Sequence, residues 1–341
     1  MPPQLRFGVF DHMDRGPVAL GDFYESRLRL IEEYDRLGYY AYHVAEHHAT
    51  PLGHAPSPAL FLAAVAQRTR RPRFGPLVYL LPLYHPLRLI DEICMLDQMS
   101  GGRFELGVRR GISPIELALF GLDPAQTPAM YAEALDIVLA GLQQDTLTHV
   151  GTHYTYRDVP MELTPVQRPH PPLWYGIGRE DAVPWAVRLR ANIVSNLPAP
   201  AARPIMDAHR VAWEAANGDG GVFPHRGLVR HAVVAETQAE ADRIAAHGYP
   251  RWRDSFLHLW LKHGTQLPSP SALPSPSFAE AEASGRAIAG TVDKVADFMR
   301  RTVAESGANY VLCRFAFGDI AEDEARQSAH LFARDVMPNF I

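Results

Sequence analysis

Apolar runs of strand length alternate with amphipathic, helix-length runs along most of this chain. Residues 5–10 (LRFGVF) are a short apolar strand, and residues 21–38 follow with Phe23, Leu28, Ile31, Tyr34 and Leu37 at helical spacing. Gly38 suits the C-terminal cap of that helix. Residues 41–46 (AYHVAE) read as a second strand, and residues 57–70 as a helix capped by Ser57 with Pro58 in its first turn. Residues 73–82 are apolar on both faces, as suits a parallel strand covered on both sides. A helix over 86–100 and a strand over 103–108 continue the rhythm. Further strands are predicted at 172–178, 192–196, 228–236 and 308–317, with a helix beginning near 181 and others over 201–216, 238–247 and 322–335. Eight strands separated by helices predict a closed (β/α)8 barrel, a TIM barrel formed as one domain over residues 1–341. A dinucleotide-binding open sheet would want a GxGxxG turn after the first strand, and none is there.

Two segments break the rhythm. Residues 146–172 look like an inserted ribbon and loop, and residues 250–290 contain the Pro/Ser-rich LPSPSALPSPS. Barrel packing has no use for the latter, so the segment near 250–290 is read as a mobile lid over the site, with a disordered loop as the alternative.

Composition narrows the function. With 33 basic and 38 acidic residues the net charge is −5, and no basic patch points to a nucleic-acid partner. No apolar run reaches the length of a membrane span and no signal peptide precedes the first strand, so a cytoplasmic protein without membrane attachment is expected. The two cysteines, Cys94 and Cys313, sit in apolar runs and read as buried thiols. The histidines form no HxH or HExxH spacing, so no metal site is predicted.

In a (β/α)8 barrel, chemistry sits at the C-terminal ends of the strands. Glu46, His47 and His48 fall at the end of the second strand, where a histidine can move protons near neutral pH; the plain alternative is a pair of polar loop residues. Arg109 and Arg110 end the fourth strand, placed either to hold a phosphate or carboxylate or to make a salt bridge at the rim. Gly176 and Gly178 end the fifth, just before a predicted helix start whose free N–H groups suit a phosphate.

EHH (46–48), LLPLYHPLRLIDEICMLDQMSGGRFELGVRRG (80–111) and DVMPNF (335–340), with the weaker PLWYGIGREDAVPWA (172–186), together resemble the bacterial luciferase-like flavin monooxygenases across essentially the whole chain. The resemblance implies a barrel that binds reduced FMN, supplied by a separate flavin reductase, and uses dioxygen to oxygenate a small organic substrate. It implies His47 as the catalytic residue, Arg110 as the phosphate ligand, and Gly178, Arg179, Asp181 and Ala182 as a second phosphate loop. Leu77 and Val78 match a pair joined by a cis peptide that packs on the flavin ring, although Gly75–Pro76 offers a cheaper place for a cis bond. Arg109 stands where light-emitting members carry a reactive cysteine, so it faces either the reduced ring or an acidic substrate, and light emission is not expected. The alanine-rich helix at 57–70 (Ala59, Ala63, Ala64, Ala66) matches the family's dimer contact, which implies a homodimer. A deazaflavin-dependent oxidoreductase and a flavin-binding protein without catalysis are the alternatives.

Overall fold

The structure, a computed structural model, describes residues 5–218, 223–265 and 273–340. Its strands are β1 (Arg6–Asp11), β2 (Ala41–Val44), β3 (Arg73–Pro76), β4 (Tyr79–Leu80), β5 (Leu106–Arg109), β6 (Thr146–Val150), β7 (Thr155–Pro160), β8 (Leu173–Gly176), β9 (Asn192–Ser195), β10 (Arg226–Val234), β11 (Ala287–Gly290) and β12 (Tyr310–Arg314). The helices are α1 (Leu20–Leu37), α2 (Pro58–Arg68), α3 (Pro86–Ser100), α4 (Pro114–Leu119), α5 (Thr127–Gly141), α6 (Val183–Arg188), α7 (Ala199–Asn217), α8 (Gln238–Lys262), α9 (Phe278–Ala283), α10 (Val292–Ser306) and α11 (Glu322–Leu331).

The parallel strands run in the order β3-β2-β1-β12-β10-β9-β8-β5-β4. The run predicted at 73–82 is broken at Leu77–Val78, whose peptide bond is cis, as the resemblance implied, while Gly75–Pro76 is trans. Its two halves close the ring. Phe74 exchanges backbone hydrogen bonds with Arg103 and Glu105, and β4 pairs with β5 at Tyr79–Val108 and Leu80–Arg109. Glycine permits this seam: a Cβ on Gly75 would sit 1.9 Å from the Glu105 carbonyl oxygen, and one on Gly107 would sit 2.2 Å from that of Pro76. Eight staves form the barrel, as the pattern predicts.

The ribbon expected within 146–172 is the antiparallel β6–β7 hairpin. Much of 250–290 is regular structure. α8 was expected to stop near 247, but it continues through Pro250 to Lys262 because Trp252, Leu257, Leu259 and Trp260 keep burying one face. β11 then adds a strand to the upper half of β10, from His231–Ala287 to Val234–Gly290, beside the eight staves. Residues 266–272, which hold the start of the Pro/Ser run, lie outside the described residues. Ser57 makes no side-chain cap, whereas Gly38 caps α1 at φ 80° as expected. Among the described residues no helix is long and apolar enough to cross a membrane.

Strand side chains alternate between lumen and helix shell, so the lumen fills in layers. At the bottom Glu105 accepts from Trp174 Nε1 (2.6 Å) and pairs with Arg73 Nε (2.5 Å). Phe10, Ala45, Leu77, Val194, Val229 and Leu312 form an apolar floor above it. Two residues further along their strands stand His12, His47, Asn196, His231 and Arg314 at the mouth.

Candidate active site

His47 follows β2 and leaves the strand half-buried. Its Nδ1 lies 3.3 Å from Glu116 Oε1, and the same oxygen accepts from the His48 N–H at 2.7 Å. Burial pushes the Glu116 carboxyl up, but His47 and the His48 N–H outweigh that and hold it below the usual range. An ionised carboxylate only accepts, so in the neutral ring the proton sits on Nδ1 and Nε2 keeps its lone pair. Glu116 reaches this place from the first turn of α4, whose N-cap Ser113 accepts from the Glu116 N–H.

Glu46 serves a different neighbour. Its Oε1 lies 2.8 Å from His48 Nε2 and its Oε2 accepts from the Leu80 N–H at 3.0 Å. The carboxyl is almost fully buried, which raises it above its ordinary value. Glu46 and His48 therefore tie β2 to β4, and the orienting partner of His47 is Glu116, 69 residues away.

His12 is buried next to His47, with ring centroids 5.7 Å apart. Its Nδ1 accepts from Trp252 Nε1 at 3.1 Å, so α8 reaches over the mouth. His231 packs edge-on against Trp252 at 4.3 Å. Burial, and then the charge of Arg314, keep both His12 and His231 well below the ordinary histidine value. A fully buried carboxyl stands close by: burial and the neighbouring Asp11 push Asp14 up to about 7.

The other sequence-predicted residues divide. Leu77 belongs to the apolar floor and Val78 packs against it. Arg110 is exposed at the end of β5 and makes no ion pair or hydrogen bond among the described residues. The Arg109 guanidinium instead lies over the ring of Tyr175, 4.5 Å from its centroid, and Tyr175 belongs to the core outside the barrel. Arg179 and Asp181 are exposed and pair with each other on the rim. In place of the helix start expected near 181, a 3₁₀ turn at Glu180–Ala182 leads into the short α6. A Cβ at Gly176 or Gly178 would meet nothing within 4 Å, so the space beside this loop is open. Six residues that sequence reasoning did not single out as site residues complete the mouth: His12, Glu116, Asn196, His231, Trp252 and Arg314. The signal for His231 and Arg314 was a polar residue in register with inward-facing apolar ones, as in Leu312–Arg314.

This donor set fits FMN. Among the described residues Arg110 has no counter-charge and suits a phosphate, while Leu77 and Val78 offer an apolar wall to a flat ring.

Residues 5–310 match the family model for luciferase-like monooxygenases. Over 99% of the chain and 98% of the relative, the sequence is 43% identical to the uncharacterized protein y4wF of Sinorhizobium fredii. It is 32% identical to the 4-hydroxyprotoasukamycin monooxygenase of Streptomyces nodosus subsp. asukaensis, covering 92% of this chain and 86% of that one. It is 27% identical to the oxygenase component of the flavin-dependent trigonelline monooxygenase of Acinetobacter baylyi, covering 77% and 74%. The fold matches monooxygenase RslO1 from Streptomyces bottropensis with TM-score 0.89 at 24% identity, over 99% of this chain and 100% of that one. It matches the oxygenating constituent of 3,6-diketocamphane monooxygenase from Pseudomonas putida, in complex with FMN, with TM-score 0.81 at 19% identity over 99% of both chains. A coenzyme F420-dependent tetrahydromethanopterin reductase from Methanopyrus kandleri follows with TM-score 0.72 at 17% identity, over 99% and 100%. With the family model covering most of the chain and full-length likeness to monooxygenases in both sequence and fold, this protein belongs to the luciferase-like monooxygenase family.

Proposed function

We propose that this chain is the cytoplasmic oxygenase component of a two-component monooxygenase, which takes reduced FMN from a separate flavin reductase. Dioxygen then oxygenates a small organic substrate, by Baeyer–Villiger insertion beside a carbonyl or by hydroxylation. The observation that carries this reading is the meeting, at one barrel mouth, of the Glu116-oriented His47 with Arg110, a cation without a partner among the described residues. Bound reduced FMN supplies the electrons that activate dioxygen. Arg110 holds its phosphate, with the loop carrying Gly178, Arg179, Asp181 and Ala182 alongside, and Leu77 and Val78 support the ring. His47 Nε2 accepts a proton from the substrate or its hydrate, and Trp252 on α8 keeps water from the mouth. The oxygenase-component name of the trigonelline relative supports the separate reductase.

The protein would work as a homodimer. α2 and α3 pack on each other and expose Leu60, Met95 and Met99, with Leu60 77% exposed. Ala59, Ala63 and Ala64 are half-buried on the same helix, whereas Ala66 faces the core. Light scattering should give twice the 37.9 kDa chain mass; a monomer at micromolar concentration refutes the dimer.

Titration with FMN and with the deazaflavin F420 tests the cofactor. Reduced FMN should bind and consume dioxygen, and Arg110→Ala should weaken it roughly ten- to hundred-fold, since a charge-assisted bond contributes about 1.5–3 kcal/mol. Selective binding of F420 without dioxygen consumption would assign the chain to hydride transfer instead.

A further inference from the structure

The mouth carries a buried cation that the reading above does not use. Arg314 ends β12 and is only 7% exposed. Its guanidinium lies over Phe10 at 4.8 Å and over Trp252 at 5.6 Å. Among the described residues its one hydrogen bond goes from Nη2 to Asn196 Oδ1 at 3.4 Å, and its buried Nε has no partner. No carboxylate lies within ion-pair distance of it among the described residues. Beside it, His231 Nε2 is also buried without a partner. A buried guanidinium without a carboxylate is costly, so fully desolvated arginines are normally paired. Asp14, the strongest influence of opposite sign, is pushed up by its own burial and by Asp11 to about 7 and supplies an incomplete counter-charge at neutral pH.

We propose that Arg314, with Asn196 and His231, is an anion subsite that anchors the carboxylate of an organic-acid substrate. Two aromatic faces fix the plane of the guanidinium, and a planar fork with open donors matches a carboxylate through paired hydrogen bonds. The FMN phosphate is a different anion. β12 stands four strand steps from β5 in either direction around the barrel, so Arg110 and Arg314 lie on opposite sides of the mouth. A substrate held there would bring its reacting carbon between Arg314 and His47. The inference rests on the proposed function only in calling the ligand a substrate, since binding can be read without turnover.

The FMN-loaded protein is titrated with benzoate and with benzamide, its uncharged counterpart of the same shape, by calorimetry and by flavin absorbance. Benzoate is the probe because aromatic rings frame the guanidinium. Benzoate should bind at least about tenfold more tightly than benzamide. Arg314→Met should abolish that preference and leave FMN affinity unchanged. If the methionine variant does not fold, Arg314→Lys serves: it keeps the charge but loses the fork, and should weaken benzoate about tenfold while binding FMN normally. Equal affinity for the two probes, a preference that survives Arg314→Met, or an unaltered benzoate affinity in Arg314→Lys overturns the proposal. Loss of FMN affinity in either variant also overturns it, since Arg314 would then serve the cofactor. If the wild-type protein fails to bind FMN, the proposed function falls, while the preference for benzoate remains measurable on the flavin-free chain.

Discussion

Replacing Glu116 by glutamine isolates what the carboxylate does for His47. The side chain keeps its shape, and its amide oxygen can still accept from the His48 N–H, now 2.7 Å from Oε1. That same oxygen position lies 3.3 Å from His47 Nδ1 and can still accept from its N–H, so the contact keeps its shape and loses its negative charge. Without that charge, the positive ring formed when Nε2 takes a proton loses its stabilising partner. A hydrogen bond to a charged group contributes about 1.5–3 kcal/mol, and each 1.36 kcal/mol changes a rate tenfold. The amide still contributes about 1 kcal/mol, so the proton step governed by His47 should slow by roughly tenfold. Two measurements follow it. Proton NMR should show the His47 Nδ1–H further downfield in the wild-type protein, where it meets a carboxylate, than in the variant, where it meets an amide. Stopped-flow mixing of the reduced FMN complex with oxygenated buffer should show hydrogen peroxide leaving faster in the variant, with FMN affinity unchanged. Stability gives a third check. The folded Glu116 carboxyl lies below its ordinary 4.5, so its contribution is present above that pH and is lost as pH falls through the folded value. The gap in melting temperature between wild type and Glu116→Gln should shrink below about pH 4.5. An unchanged Nδ1–H signal together with unchanged peroxide release would reduce Glu116 to a helix-start residue of α4.

Three further outcomes follow from the geometry. His47→Ala should bind FMN normally but lose roughly 10²–10⁴-fold in product formation with more peroxide, whereas His48→Ala, which touches Glu46, should cost far less; equal effects in a coupled product and peroxide assay would count against the assignment. Gly75→Ala should lower stability by about 3 kcal/mol or more, because the new Cβ meets backbone at 1.9 Å, and an unchanged calorimetric melting temperature would refute the tight seam. Asp14→Asn should stabilise the protein as pH rises: the unfolded chain loses this proton near 3.8 and the folded chain only near 7, so wild-type stability falls between those values. The gain should grow from pH 5 to pH 8, with an upper bound of about 4 kcal/mol, and a gain independent of pH would show that Asp14 does not titrate as described.

Local pattern determined much of this protein. Alternating apolar strands and amphipathic helices foretold eight barrel staves, Gly38 its left-handed cap, and the end of β2 the place of His47, because strand and helix periods are set by backbone geometry within a few residues. Other features depended on partners distant in sequence. β11 is four residues long, too short for a periodic signal, and forms because the upper half of β10 offers an unpaired edge. α8 passes Gly248 and Pro250, which read as a stop, because Gly248 lies against Ile320 and Phe317 where a side chain would not fit, and the turns beyond bury Trp252. SPIE at 113–116 has the spacing of a helix capping box, but only the packing of α4 beside the end of β2 turns Glu116 onto His47. His12, His231 and Arg314 lie 83 or more residues apart and share no motif. Closing the ring sets β1, β10 and β12 in register, and that register, which no local preference encodes, puts the three side chains in one layer at the mouth.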